Sequence, residues 1–230
     1  MDSRQAAGRR AGLLYFAFML VAIFGEFLLP AFRVSGDAAA TARNITTAEL
    51  TYRVEILTGL VTHVIFLFLV VSLYQLLKDV DRGHALRMVL FVAVGVAVAL
   101  GNMLHKFEPL ELLSGAESWS VFTQPQLGAL ALGALDAHRG GSALPIAFWG
   151  LWLFPFGILV MKSGFLPRIL GILLLVAGFA YLGASVTAIV VPEYRQAVWR
   201  IMTPLYFGEV PIIFWLMLKG ARGAPATPKP

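Results

Sequence analysis

Six long apolar segments dominate this 230-residue sequence and constrain its fold more than any other feature. Each is long enough to cross a bilayer as a helix, because about 20 residues at about 1.5 Å each span the hydrocarbon core. Charged residues, proline or glycine bracket every segment. We therefore predict an all-α, polytopic membrane helix bundle with six transmembrane helices, at about residues 11–32, 52–77, 86–105, 142–162, 166–190 and 200–219.

The amino-acid composition excludes several other classes of protein. Charged residues make up 13% of the chain, about half of the roughly 25% that is usual in soluble domains. The basic residues lie at the ends of the apolar segments rather than on one soluble face, so we expect no nucleic-acid partner. The sequence has no cysteine, which excludes disulfides and thiolate metal sites.

The longest stretch between apolar segments, Lys106–Gly141, contains a short helix of its own. Thr123 and Gln126 have the spacing of a capping box, and an apolar run follows them. A helix over residues 124–138 is too short to cross the membrane, so we predict that it is interfacial or re-entrant on the outer side. Residues 1–219 then form a single transmembrane domain. The tail, residues 220–230, is rich in Ala, Pro and Gly and is predicted to be disordered.

The distribution of lysine and arginine predicts the orientation of the chain. Short cytoplasmic loops of membrane proteins carry an excess of these residues. With the N-terminus in the cytoplasm, 11 of them lie inside, namely Arg4, Arg9, Arg10, Lys78, Arg82, Arg87, Lys162, Arg168, Lys219, Arg222 and Lys229. The outer segments hold 7, namely Arg33, Arg43, Arg53, Lys106, Arg139, Arg195 and Arg200. We therefore predict a multi-pass protein of a bacterial inner membrane with both termini in the cytoplasm.

Two glutamates lie inside apolar segments, Glu26 within residues 13–29 and Glu209 within residues 201–218. An acid at such depth is costly unless it is paired, protonated or used in function. Counted at about 1.5 Å per residue from the nearest outer arginine, Glu26, Glu209 and His63 all lie about 10 to 15 Å deep. Three ionisable groups on three helices would then share one depth, which predicts a polar site in the outer half of the bundle.

Other polar residues of the second and third helices lie on the same side of the membrane. Glu55, Gly59 and His63 follow one another at i, i+4 and i+8, so they form one stripe of the second helix. Asn102 and His105 share one face at the outer end of the third helix. Each residue also has a structural interpretation, because interior polar side chains often only hydrogen-bond a neighbouring helix.

Asp136 and His138 lie at the end of the short outer helix, two residues apart and therefore on different faces. Histidine and carboxylate are suitable ligands for zinc or iron. However, no two of the candidate ligands share a helix at metal-binding spacing. We therefore predict no metal site.

Several stretches resemble a family of bacterial integral membrane proteins that is known only as a domain of unknown function. The most specific of them runs from Ser163 to Gly171 and contains the hairpin sequence Gly-Phe-Leu-Pro-Arg. The others are Gly25-Glu26-Phe27, Gly36–Ala42 with Asn44-Ile45, Leu135–His138 and Gly208-Glu209. The resemblance implies a bundle of six to seven helices with Glu26, Asp136, His138 and Glu209 at motif positions. It implies no activity.

These observations predict a membrane protein that binds, or transforms by acid–base chemistry, a lipid-soluble small molecule in the outer half of the bundle. Glu26 and Glu209 would act as the acids or bases, because an acid in an apolar pocket can retain its proton near neutral pH. The expected ligand-binding residues are His63, Glu55, Asn102, His105, Asp136 and His138, with the short outer helix as a lid. Membrane lipids surround the bundle in every case.

Two other classes of function remain open. The protein can be a non-catalytic accessory subunit of a larger membrane complex, in which the acids pair with helices of other subunits. It can also be a proton-coupled transporter, although the sequence shows no inverted repeat. Whether the protein is an enzyme is not decided by these patterns.

The predicted orientation can be tested with reporter fusions. A reporter fused after Lys219 is expected to be active in the cytoplasm, and one inserted within Ala38–Thr47 is expected to be active outside. This follows from the excess of basic residues on the inner side. The opposite pattern at both positions would reverse the orientation.

Overall fold

A computed structural model of the protein describes residues 3–221, and helices make up all of the regular structure in that range. The α-helices are α1 (Ser3–Ile23), α2 (Ala38–Thr47), α3 (Glu49–Leu77), α4 (Arg82–Leu112), α5 (Gln124–Gly141), α6 (Ala143–Leu151), α7 (Leu153–Lys162), α8 (Arg168–Val190), α9 (Arg195–Tyr206) and α10 (Val210–Lys219). A π-helical turn, Phe24–Leu28, extends α1, and a 3₁₀ turn, Phe207–Glu209, joins α9 to α10.

Within residues 3–221, six helical segments are long and apolar enough to cross a membrane by length and composition. Consecutive helices are joined in three of them, which are Ser3–Leu28, Gln124–Lys162 and Pro192–Lys219. The other three are single helices, Glu49–Leu77, Arg82–Leu112 and Arg168–Val190. This arrangement confirms the predicted fold class, an all-α multi-pass membrane bundle.

The first and last helices lie side by side, so the two ends of the described chain meet at one end of the bundle, here called the terminal end. The guanidinium of Arg9 donates a hydrogen bond to the Leu218 carbonyl oxygen over 3.2 Å. Ala221 is fully buried, and its backbone nitrogen lies against Gly8. Ala221 thus packs against α1, and residues 222–230, most of the tail that the sequence predicts to be disordered, lie outside the described part of the chain.

Glycines bring helix backbones into close contact. Gly8 and Gly12 are four residues apart on α1, and a Cβ at Gly12 would overlap backbone atoms of Leu216 and Met217 on α10. This is the small-residue spacing by which membrane helices approach closely. Because lipid tails are as apolar as the side chains, such close packing supplies much of the association of helices in a membrane.

A second set of glycines joins the α6–α7 segment to α8. A Cβ at Gly157 would lie 2.7 Å from the Gly171 carbonyl oxygen, and one at Gly171 would lie 2.6 Å from the Gly157 oxygen. Gly150 and Gly178 form an equivalent pair, with Cβ-to-oxygen distances of 2.8 and 3.1 Å. The hairpin between these helices turns at Gly164, which has a positive φ of 70° that favours glycine.

The predicted short helix corresponds to α5, which packs on α4 and α2 at the opposite end of the bundle, here called the distal end. Its capping box is confirmed, since the Thr123 backbone N–H donates to the Gln126 side-chain oxygen over 2.8 Å. Leu112 clusters with Leu127 near the start of α5. Asn102 meets His138 near its end. The two helices therefore run antiparallel, and α5 leads directly into α6 and α7.

Asp81 connects two hairpins at the terminal end. Its carboxylate accepts hydrogen bonds from the Lys162 ammonium over 2.9 Å and from the His84 backbone N–H over 3.1 Å. The bond from Lys162, followed by the one from His84, lowers the pKa of Asp81 well below its usual range. Because folding lowers this pKa, the resulting stabilisation is present at neutral pH and is lost only as the pH falls through the lowered value.

The contact between α1 and α10 can be tested with Gly12→Ala. The new methyl group would meet backbone atoms of α10, so we expect a loss of roughly 1–3 kcal/mol in stability, as is usual for overpacking. Thermal unfolding of purified protein in detergent measures it. Gly101→Ala is the matched control, because no atom lies within 4 Å of a Cβ there. Equal melting temperatures for the two variants would contradict the assigned role of Gly12.

Candidate functional site

The polar residues of the membrane domain form two separate groups. The distal acid group consists of Glu26, Glu55 and Lys106. The interior glutamate group consists of Glu209, Tyr15 and Tyr181, which interact with one another. The two predicted acids therefore belong to different groups.

The ion pair of the distal acid group joins α3 to α4. The Lys106 ammonium lies 2.5 Å from a Glu55 carboxylate oxygen, and the two side chains are 19% and 21% exposed. The buried Tyr52 hydroxyl donates to the Lys106 carbonyl oxygen over 2.8 Å. The side chain and the backbone carbonyl of Lys106 are thus both held by α3, which fixes the position of the ammonium charge.

Glu26 lies in the π-helical turn at the distal end of the first span. Its side chain is exposed, and it is close enough to Lys106 and Glu55 to interact with both charges. Among the described residues it forms no direct ion pair. Gly25 allows this turn to approach α3, because a Cβ there would lie 3.0 Å from the Thr58 methyl group.

Asn102 and His138 meet across α4 and α5. The Asn102 amide donates to the His138 carbonyl oxygen over 2.8 Å, and His138 Nδ1 lies 3.0 Å from the Asn102 carbonyl oxygen. A Cβ at Gly141 would overlap the Asn102 side chain, so a glycine is needed beside it. The structure brings these two predicted residues together as a clamp between helices.

The remaining predicted ligand-binding residues have separate partners. His105 Nδ1 lies 2.7 Å from a Glu108 carboxylate oxygen on the same helix. Asp136 forms an ion pair with Arg33, 2.5 Å away, which joins α5 to the segment after the first span. At this end of the bundle the ionisable side chains thus mainly hold helices and loops in position.

His63 lies apart from both glutamates. Its Nδ1 is 2.6 Å from the Gly59 carbonyl oxygen one turn earlier, and its ring lies 5.9 Å from the Trp149 ring. Among the described residues, no hydrogen bond joins His63 to Glu26 or Glu209. The structure therefore does not assemble the predicted set of Glu26, Glu209 and His63.

Two tyrosines interact with Glu209, and a third stacks on one of them. The Tyr15 hydroxyl donates a short hydrogen bond to the Glu209 carboxylate, and the Tyr181 hydroxyl is close enough to interact with it. The ring of Tyr206 stacks on that of Tyr181 at 4.4 Å. The Tyr206 hydroxyl is buried and has no hydrogen-bond partner among the described residues. The sequence analysis missed these tyrosines, although Tyr15 and Tyr181 lie far from the ends of their helices, where membrane tyrosines are usually found.

The predicted equal depth of Glu26 and Glu209 is wrong. Glu209 meets Tyr15, which precedes Glu26 by eleven residues in the first span, or about 16 Å along the helix. The estimate took Arg33 and Arg200 as the outer ends of their helices. The structure instead ends the first span at Leu28, close to Glu26, and begins α9 at Arg195, further from Glu209.

Two open apolar grooves lie on either side of α3 towards the distal end. The groove between α3 and α4 has a volume of about 260 Å³ and is lined by Arg53, Ile56, Leu57, Leu60, Leu100, Met103, Phe107 and Leu110. The groove between α1 and α3 has a volume of about 280 Å³ and is lined by Leu20, Val21, Phe24, Leu57, Thr58 and Val61. Leu57 borders both of them.

Within residues 3–221, no three His, Asp or Glu side chains lie together in a way that could hold a metal ion. The carboxylates and histidines instead pair with other protein groups, as described above for Glu55, Asp136 and His138. The chemistry that the described residues themselves offer is proton transfer, ion pairing and hydrogen bonding.

The chain belongs to the family described as a domain of unknown function, DUF4386, which matches residues 10–220. It is similar to an "Uncharacterized protein" from Archaeoglobus fulgidus, with 30% identity over 154 residues, 66% of this chain and 75% of the relative. No solved structure matches the chain. The resemblance found in the sequence is thereby confirmed, and this relative comes from an archaeon rather than a bacterium.

The energetic importance of the Glu55–Lys106 pair can be measured with a double-mutant cycle. Glu55→Gln and Lys106→Met should each lower the melting temperature, with a coupling above about 1 kcal/mol, because each single change leaves a poorly solvated partner. The exposed pair Glu49–Arg53, 2.8 Å apart on α3, is the matched control. Its coupling should be about 0.2–1 kcal/mol. A coupling no larger at Glu55–Lys106 would show that the pair is only a surface contact.

Proposed function

We propose that this DUF4386 protein binds a lipid-soluble molecule at the distal end of its bundle. The hydrocarbon part of the molecule would lie in the grooves beside α3. Its polar part would meet the distal acid group, Glu26, Glu55 and Lys106. Membrane lipids surround the rest of the bundle and are its other partners.

The observation that supports this proposal is the position of the apolar grooves beside the charges. Ile56 and Phe107 line the α3–α4 groove, and they directly follow Glu55 and Lys106 in the sequence. An apolar surface with a few convergent polar groups is the usual form of a small-molecule site. The ligand would therefore be an amphiphile, with a polar group at the membrane surface and a hydrocarbon part in the lipid region.

Glu26 is the residue of this group whose carboxylate forms no ion pair among the described residues. Glu55 and Lys106 are paired with each other, whereas Glu26 is exposed and only near them. It can therefore accept a hydrogen bond from a ligand, or exchange a proton with it as a general acid or base. His105 is exposed at the same end, while Asn102, Asp136 and His138 would position the α5 lid through their contacts with α4 and with Arg33.

A second candidate function is that of an accessory subunit in a membrane complex. The exposure of Glu26 and its neighbours favours it, since Phe27 and Leu28 are 76% and 68% exposed. A helix of another subunit carrying a basic residue would cover this turn and neutralise the acid. In this case the grooves would hold ordinary lipid.

The proposed location is the inner membrane of the cell, with both termini in the cytoplasm. The 11 to 7 distribution of basic residues supports this orientation. The contact of Arg9 with Leu218 agrees with it, because it brings the first and last helices together at the same end. The proposed site then faces outwards.

The small-molecule proposal predicts that a groove-filling variant loses its ligand. Leu57 borders both grooves, so in Leu57→Trp the larger indole would occupy part of this groove space. We expect a lipid-soluble compound to co-purify with the wild type and its amount to fall at least about ten-fold in this variant, a change of about 1.4 kcal/mol. Mass spectrometry of organic extracts of purified protein measures it.

The matched control is Leu90→Trp on α4, because Leu90 is 52% exposed and Leu57 is 56% exposed, while Leu90 lines neither groove. Equal retention of the compound in both variants would contradict the proposal. Glu26→Gln separates the two candidate functions. If it releases a second polypeptide but leaves the amount of bound compound unchanged, the protein is an accessory subunit.

A further inference from the structure

We propose that Glu209, with Tyr15 and Tyr181, forms a proton-binding site in the interior of the membrane domain. The site is distinct from the one proposed at the distal end. It is built from three parts of the bundle, with Tyr15 on α1, Tyr181 on α8 and Glu209 in the turn between α9 and α10. Its ligand is the proton, exchanged at a carboxylate oxygen of Glu209.

Among the described residues, no cation is paired with Glu209 to balance its charge. The groups that interact with its carboxylate in the described chain are the phenols of Tyr15 and Tyr181, and no Lys, Arg or His forms an ion pair with it. An ionised carboxylate within a membrane is costly without a counter-charge. Because Tyr15 is itself only 1% exposed, bulk water does not surround this hydrogen bond. The remaining way to neutralise Glu209 is to bind a proton.

The surrounding hydroxyls can satisfy either protonation state. When Glu209 is ionised, Tyr15 and Tyr181 donate to it, which stabilises the charge. When Glu209 is protonated, its O–H is a donor, and a phenol oxygen can accept the bond. The Tyr206 hydroxyl adds a third group, which is buried without a partner on a ring stacked 4.4 Å from Tyr181. The titratable groups that interact with Glu209 are thus Tyr15 from α1 and Tyr181 from α8, and Tyr206 from α9 is stacked on Tyr181.

The 3₁₀ turn at Glu209 favours its ionised state. Glu209 is the N-cap residue of α10, where the helix dipole favours a negative charge. Pro204 lies inside α9 before this turn, and Pro211 stands in the first turn of α10. The dipole favours the anion and the membrane favours the acid, which is the balance that a reversible proton site needs.

A hydrophobic carbodiimide tests the site directly on the wild-type protein. Dicyclohexylcarbodiimide takes up the proton of a carboxylic acid, the carboxylate adds to its central carbon, and the adduct rearranges to a stable N-acylurea without a leaving group. Because an ionised carboxylate does not begin this reaction, labelling reports the protonated form. We expect peptide mass spectrometry to find the label on Glu209, with a yield that falls as the pH is raised.

Glu55 is the internal control, because its side chain forms an ion pair with the Lys106 ammonium. Its labelling should be at least about ten-fold lower than that of Glu209. The amount of label on Glu209 can be measured whether or not the grooves hold a ligand. The result therefore does not depend on the proposal for the distal end. Absence of label on Glu209 at every pH would overturn the proton site.

Tyr15→Phe and Tyr181→Phe test the role of the phenols. Each variant removes a donor that favours the ionised carboxylate, so labelling of Glu209 should persist to higher pH than in the wild type. Tyr74→Phe, a tyrosine near the terminal end of α3, is the matched control and should leave the pH profile unchanged. Unchanged profiles in both Tyr15→Phe and Tyr181→Phe would limit these residues to packing and overturn their assignment to the site.

Protection from labelling by sodium chloride, but not by choline chloride, would also overturn the proposal by showing that the site binds a metal cation.

Discussion

Close contact between helix backbones is the constraint on which the rest of this structure depends. In lipid the burial of apolar side chains between helices gains little, so packing contacts and hydrogen bonds must hold the bundle together. Gly12 lets α1 lie on α10, and Gly208, next to Glu209, lets that turn lie on α8, since a Cβ there would be 2.7 Å from the Leu173 carbonyl oxygen. These contacts place Tyr15 and Tyr181 on the helices that face Glu209. The polar groups therefore meet because the glycines bring their helices together.

The charges in the two polar groups are balanced in different ways because the groups lie at different depths in the membrane. At the distal end, charges are paired with opposite charges, as in Glu55 with Lys106 and Asp136 with Arg33. In the interior, Glu209 interacts with the phenols of Tyr15 and Tyr181, and no cation of residues 3–221 forms an ion pair with it. Ion pairs are accommodated at low cost near the membrane surface, where water still solvates the charged groups. Deeper in the membrane a net charge is costly, so a group that gains or loses a proton is easier to accommodate than a fixed ion.

The sequence predicted the helical class and pointed to both glutamates, but it placed them in one site. That error came from measuring depth from Arg33 and Arg200, whereas the first span ends at Leu28 and α9 begins at Arg195. The sequence also selected Asn102 and His138 without indicating that they bind each other. Tyr15 and Tyr181 were missed because an isolated tyrosine in an apolar segment carries no spacing pattern. Their importance depends on which helices are neighbours, and a single sequence does not show that.

The features that this sequence determines by itself therefore arise from residues close together in the chain. Hydrocarbon thickness converts segment length into a number of spans, and a capping box at Thr123 and Gln126 sets where α5 begins. The tertiary structure decided which helices touch, and hence which side chains share a site. It separated Glu26 from Glu209, paired Glu55 with Lys106, and brought Tyr15 and Tyr181 to the Glu209 carboxylate. The physical reason is that membrane helices of similar hydropathy can pack in many orders, and only the fit of small residues and hydrogen bonds between particular faces selects one of them.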